Sequence, residues 1–201
     1  MSADGAIISL TKTPGCRAWI DGVGCWLIWF QEELMIGNAA GESSDFRLRF
    51  PAHLRTRHAV VQRTESGDWL NMIGECRVND SPVLLRQPLF PKDRIQLGEE
   101  LKLSWNRPNP LSGTAVLSFE NQRTADHLDG AVLFQETCLI GAGKQTHIRC
   151  RHWEQACILF ARGGELWRRT QDSQEIGPVV AGEPFSVGQW RMRIETLTDL
   201  R

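Results

Sequence analysis

Two stretches of the chain concentrate cations without a single acid. From Phe46 to Thr64 the sequence holds Arg47, Arg49, Arg55, Arg57, Arg63, His53 and His58. From Gly143 to Trp153 it holds Lys144, Arg149, Arg151, His147 and His152. Such runs suit an anion, and arginine's planar fork suits phosphate best. The plainer account of both is a solvated strand face. The chain as a whole carries 23 Lys+Arg against 24 Asp+Glu, a net charge of −1, which argues against a general nucleic-acid or membrane binder.

His147, Cys150, His152 and Cys157 are zinc-type ligands by residue type. Their spacing is wrong for a structural site, and period two puts Cys150 and His152 on one strand face with His147 on the other. Buried thiols and solvated imidazoles account for them better. The cysteines are Cys16, Cys25, Cys76, Cys138, Cys150 and Cys157, with no C-x-x-C pair, and several sit inside apolar runs as buried free thiols do. No helix N-terminus or oxyanion nest is legible beside any of them, so a Cys-His nucleophile has no support. Gly141-Ala142-Gly143-Lys144 lacks the Walker spacing. The expectation is no catalysis, no cofactor and no metal.

What must position the basic stretches is a repeat. Phe30-Gln31-Glu32, followed by Ile36-Gly37, recurs as Phe134-Gln135-Glu136, followed by Ile140-Gly141, at an offset of 134 − 30 = 104. That period is too long for a solenoid unit and reads as a duplicated domain. Both basic stretches follow the repeated Ile-Gly.

The local pattern is β. Apolar and polar residues alternate in Phe46 to Phe50, Leu101 to Trp105 and Trp190 to Ile194, as in half-buried strands. The short runs Ala59 to Val61 and Ala156 to Phe160 suit strands buried on both faces. Turn residues recur at Ser66-Gly67-Asp68, Asn79 to Pro82 and Gly163-Gly164, which suggests a sandwich of many short strands. Glu120 to Gly130 reads as a polar loop. Trp26 and Trp29 fall on opposite strand faces, one core and the other exposed or at an interface. The apolar run Trp26 to Phe30 is far short of a membrane helix, and Met1 to Gly15 shows no signal peptide. The cytoplasm is the expected compartment.

The boundary falls at Asn106-Arg107-Pro108-Asn109-Pro110, where two prolines end a strand and stiffen the chain. It separates 16–106 from 112–197. Trp69 aligns with Trp167, with one extra residue in the second copy, and Asp93 to Gly98 aligns with Glu183 to Gly188. The shrinking offset marks residues lost from the second copy.

The first copy resembles a forkhead-associated (FHA) domain. The residues that carry the resemblance are Ile36-Gly37, Leu54 to Val61 with its His58-Ala59-Val60-Val61, Gly67-Asp68-Trp69, Val78-Asn79-Asp80 and Asp93-Arg94-Ile95-Gln96-Leu97-Gly98. It spans nearly all of 16–106, and the second copy enters through its likeness to the first. It implies an all-β protein of two tandem FHA-like β-sandwiches, whose family binds phosphothreonine peptides at its apical loops. The family's phosphate-binding Arg is here Asn38, its Ser is Arg55, and its Asn falls at Gly74. His58 and Asn79 match. In the second copy the Arg and His positions are Ala142 and Gln155.

The resemblance thus implies a retained scaffold and an altered site. A charge-assisted hydrogen bond contributes about 1.5–3 kcal/mol. Three lost contacts remove on the order of 4 kcal/mol or more, against roughly 8 kcal/mol for micromolar binding. The expected function is a non-catalytic interaction or scaffold protein, with a protein or phosphoprotein partner in a pathway with protein kinases. The alternative is an atypical phosphopeptide reader using Asn38, Arg55, Thr56, Arg57, His58 and Asn79. A zinc protein or enzyme is the third alternative.

Overall fold

The computed structural model describes residues 5–40, 48–171 and 176–197. Among them the chain forms twenty strands and no α-helix. The first eleven are β1 (Gly15–Ile20), β2 (Gly24–Trp29), β3 (Glu33–Asn38), β4 (Leu48–Phe50), β5 (Ala59–Thr64), β6 (Gly67–Met72), β7 (Cys76–Val78), β8 (Ser81–Pro82), β9 (Arg86–Leu89), β10 (Asp93–Leu97) and β11 (Leu101–Asn106). The rest are β12 (Ala115–Phe119), β13 (Gly130–Leu133), β14 (Thr137–Gly141), β15 (Ile148–Arg149), β16 (Cys157–Arg162), β17 (Glu165–Thr170), β18 (Ile176–Pro178), β19 (Pro184–Val187) and β20 (Trp190–Thr196). No helix among the described residues is long and apolar enough to cross a membrane.

The alternation at Leu101 to Trp105 becomes β11, with Leu101, Leu103 and Trp105 buried and Lys102 exposed. β20 repeats the pattern, burying Met192 and Ile194 between exposed Arg191 and Arg193. At Phe46 to Phe50, the described part is β4, where Leu48 and Phe50 are buried. Phe46 and Arg47 lie outside the described residues. The segment from Glu120 to Asp129 carries no strand, as its polarity predicts.

The chain divides into two compact units that are not its two halves. One holds residues 1–30, 107–115 and 131–201; the other holds 31–106 and 116–130. The sequence boundaries 16–106 and 112–197 therefore mark the repeats rather than the units. The reason is strand pairing. β1 pairs antiparallel with β20, Cys16 opposite Thr196, so the first strand of repeat one completes a sheet with the last strand of repeat two. β12 pairs antiparallel with β11, Leu103 opposite Phe119, so the converse also holds.

In the unit built around the first repeat, one five-stranded sheet runs β4-β3-β5-β6-β9, and β12-β11-β10-β7-β8 lie side by side in that order within a longer sheet. Its core includes Leu34, Ile36, Phe50, Val61, Leu70, Ile95, Leu97 and Trp105. Phe50 meets Phe119 edge-on at 5.0 Å between ring centroids. In the other unit, one five-stranded sheet runs β15-β14-β16-β17-β18, and β19-β20-β1-β2-β13 lie side by side in that order within a longer sheet. Ile8, Cys16, Ile28, Ile140, Leu159 and Ile194 are among the residues of an apolar cluster there. Burying one such aliphatic side chain contributes roughly 1.5–3 kcal/mol.

The repeats match in the pairing of the strands they share. Ile36 pairs in parallel with Leu48 and antiparallel with Ala59; Ile140 pairs in parallel with Ile148 and antiparallel with Cys157. Residue 59 therefore answers to 157, an offset of 157 − 59 = 98. Gln62 faces Trp69 and Phe160 faces Trp167 at that same offset, so the intervening turns are equally long and the expected extra residue is absent. His58 accordingly matches Ala156, not Gln155. Gly98 and Gly188, at φ 58° and 60°, close the matching turns before β11 and β20 at an offset of 188 − 98 = 90. The 98 − 90 = 8 missing residues correspond to the β7–β8 hairpin, which has no counterpart among the described residues of the second repeat.

Two sequence expectations change. Trp26 packs against its unit's apolar cluster and Trp29, 5% exposed, is buried outside that cluster, so only the exposed alternative falls; the exposed tryptophan is Trp19, at 39%. Ala59 to Val61 and Ala156 to Phe160 are not buried on both faces: Val60, Ile158 and Phe160 are only half-buried. Each belongs to a sheet that packs on one side only.

Candidate functional site

The first basic stretch becomes β4, a loop over residues 51–58 and β5. The loop is held against the end of β3 by its own backbone. Asn38 donates its backbone N–H to the Arg55 carbonyl at 3.0 Å and its Nδ2–H to the Leu54 carbonyl at 2.8 Å. A Cβ on Gly37 would collide with the Thr56 carbonyl oxygen, so only glycine lets the loop approach this closely. Asn38 thus spends its amide on bracing the loop, and its Oδ1 is buried without a partner.

His58 is the inner brace. It is 4% exposed. The Arg55 backbone N–H donates to its Nδ1 at 3.2 Å, so its hydrogen sits on Nε2, which donates to the Glu75 carbonyl at 2.9 Å. The Gly98 N–H donates to that same carbonyl. The His58 carbonyl in turn accepts from the N–H groups of Ile73 and Gly74. A Cβ on Gly74 would run into the His58 ring. The position where the resemblance expects a ligand asparagine therefore has no room for any side chain.

The cations of the stretch divide by partner. Arg49 makes a two-pronged contact with Asp126, Nε at 3.3 Å and Nη2 at 2.5 Å, which raises its pKa. Arg63 pairs with buried Asp68 at 3.7 Å, and exposed His53 lies 3.5 Å from Glu100. That leaves Arg55, Thr56 and Arg57, all exposed, at the crest of the loop. The Arg55 Nη1 donates to the Ile73 carbonyl at 2.9 Å. Arg57 has no acidic partner among the described residues. Two guanidinium groups flanking a hydroxyl can take a singly charged oxyanion from solvent.

Asn79 lies on a different element. With Asp80 it forms the two-residue turn of the β7–β8 hairpin, at φ 49° and 66°, the left-handed pair that a primed turn demands. Its Nδ2 donates to Asp93 Oδ1 at 2.7 Å, and its Oδ1 accepts the Arg94 N–H at 3.0 Å. These bonds tie it to β10, and none joins it to the loop. Of the sequence-derived site residues, the structure brings together Asn38, Arg55, Thr56, Arg57 and His58. The Gly74–His58 contact was not legible in the sequence, because nothing in 16 residues of separation signals it.

The second basic stretch differs. His147 is 3% exposed; its Nδ1 accepts the Leu139 N–H at 2.8 Å, while its Nε2 has no partner. Burial lowers its pKa to about 4. Cys150 and Cys157 are buried, and burial pushes both thiols up to about 12. Protonated thiols are neither nucleophiles nor metal ligands. Among the described residues, no three His, Cys, Asp or Glu side chains converge as a metal site would need. Comparison of the chain with family models, curated proteins and solved structures gives no match.

Proposed function

We propose that the chain is a non-catalytic, cytoplasmic interaction protein built from two FHA-like repeats, its phosphothreonine-binding residues largely replaced. The observation that carries this reading is the Gly74–His58 contact: the loop scaffold is braced from within, yet the place for one ligand side chain is filled by the brace itself. Asn38 supports it too, since its amide is turned to the Leu54 carbonyl and brings no charge to the loop crest. Its partner is a protein, and the kinase-pathway setting rests on the resemblance alone.

Titration of the full chain with phosphothreonine peptides, followed by calorimetry, tests this. The expected result is no binding tighter than about 1 mM, near −4 kcal/mol. Micromolar binding that requires the phosphate overturns it.

A second reading has a specific observation in its favour. Arg55 and Arg57 remain exposed around Thr56 while the other described arginines of the stretch are paired with acids. In that reading the crest binds an oxyanion by an atypical route. Replacing both arginines by glutamine then abolishes any phosphopeptide affinity found.

A further inference from the structure

The outward face of the β15-β14-β16-β17-β18 sheet differs in kind from its counterpart in the first repeat. There, one register row across the sheet reads Glu33, Gln62, Trp69, Pro88. Gln62 donates to Glu33 at 2.8 Å and accepts from Asn71 at 3.0 Å, forming a polar ladder. The matching row in the second repeat reads Thr137, Phe160, Trp167, Pro178. In the next row, Met35, Val60, Asn71 and Arg86 give way to Leu139, Ile158, Arg169 and Ile176. On one scaffold, Gln62 has become Phe160 and Arg86 has become Ile176, which is 45% exposed. A solvated face needs neither change.

A cavity of about 450 Å³ opens on the same face, lined by Leu139, Ala156 and Ile158 and, on its polar side, by Thr146, Arg169 and Gln171. That size is ordinary for a ligand pocket. Among the described residues that line it, Arg169 is the only charged one. It is exposed and has no acidic partner among the described residues. At the other end of the stripe, the Arg162 guanidinium lies 4.7 Å over the Trp167 ring, with Glu165 opposite it in the register. Two cations therefore bracket an apolar row.

We infer that this face docks an extended polypeptide segment of a partner, with acidic residues on either side of an apolar one. The apolar side chain seats on Ile158 and Phe160; one carboxylate pairs with Arg169 and the other with Arg162. Spacing selects a polypeptide over a small acid. Arg162 and Ile158 are four residues apart on β16, roughly 13 Å along the strand. Same-side residues of an extended peptide recur about every 7 Å, so acid, apolar and acid at alternate positions span that distance. The site lies in the other repeat from the 51–58 loop, and the segment needs no phosphate. Failure of the loop reading therefore leaves it intact, and the reverse also holds.

The test is a titration of the ¹⁵N-labelled full chain with a capped peptide centred on Glu-Thr-Leu-Thr-Glu, up to about 1 mM. The expected result is shifts at the Trp167 indole and at the Ile158 and Arg169 amides, weakened by salt. The variants Phe160→Gln and Arg169→Asn install residues that the first repeat carries on this same scaffold, and each is expected to weaken binding at least about tenfold. Arg55→Gln with Arg57→Gln is expected to leave the shifts unchanged. Absence of shifts, equal binding of the peptide with lysine in place of glutamate, or undiminished binding by the two variants overturns the inference. Hexanoate alone reproducing every shift overturns it in favour of a small-acid site.

Discussion

His58 and Gly74 act as one unit. The ring fills the space a side chain at 74 would need, and its two nitrogens fix the Arg55 N–H and the Glu75 carbonyl. Gly74→Ala forces the ring aside and is expected to cost about 1–3 kcal/mol in urea denaturation. In a His58→Ala background that cost should largely vanish, because the clash partner is gone; an additive double mutant would refute the coupling. His147 has the opposite vulnerability. Its folded pKa of about 4 lies below the ordinary 6.5, so the unfolded chain takes up the proton first as pH falls. The stability linked to its neutral form is full above about pH 6.5 and declines as pH drops toward 4, by on the order of 3 kcal/mol. His147→Gln should flatten the pH dependence of the unfolding midpoint in that window. An unchanged slope would sink the assignment.

At the scale of elements, the β7–β8 turn is the sharpest test. Asn79 sits at φ 49° and is bonded to Asp93 and Arg94. Asn79→Ala loses both the tolerance for that conformation and the side-chain bonds, and should cost about 1–3 kcal/mol. Asn79→Gly keeps the backbone freedom and should cost less. If the two variants unfold alike, the turn geometry is not what holds the residue there. The strands that bury the cysteines make a second prediction. All six thiols are free and buried, and burial raises those of Cys16, Cys76, Cys138, Cys150 and Cys157. A thiol reagent at neutral pH should find almost none in the native chain and all six after denaturation. Rapid native labelling of any one would contradict this packing.

At the scale of the whole molecule, the exchange of first strands between repeats decides what can fold alone. The unit around the first repeat takes β3 to β11 from one repeat and β12 from the other. Residues 31–130 contain that unit in one continuous piece, and Arg49–Asp126 clips its last segment in place. This fragment is expected to unfold cooperatively in urea, with a sigmoidal circular-dichroism transition. A broad, non-cooperative transition would show that the unit is not self-sufficient.

The sequence by itself determined the strands and the duplicated order in which they come. Alternation at 101–105 and 190–194, Asn79-Asp80 as a turn and the glycine at 98 are local signals, because side-chain period and left-handed backbone are set by near neighbours. It also showed which residues of the loop crest carry charge. Only the tertiary structure decided which repeat each first strand completes, since β1 and β12 answer to one another and either would fit either sheet edge by pattern. It alone decided that Gly74 is closed by His58, that Arg49 and Arg63 are spoken for by acids far along the chain or across a hairpin, and that Ile158 and Phe160 face outward. Apolar character is written in a residue's type, whereas burial depends on what the rest of the chain brings to lie against it.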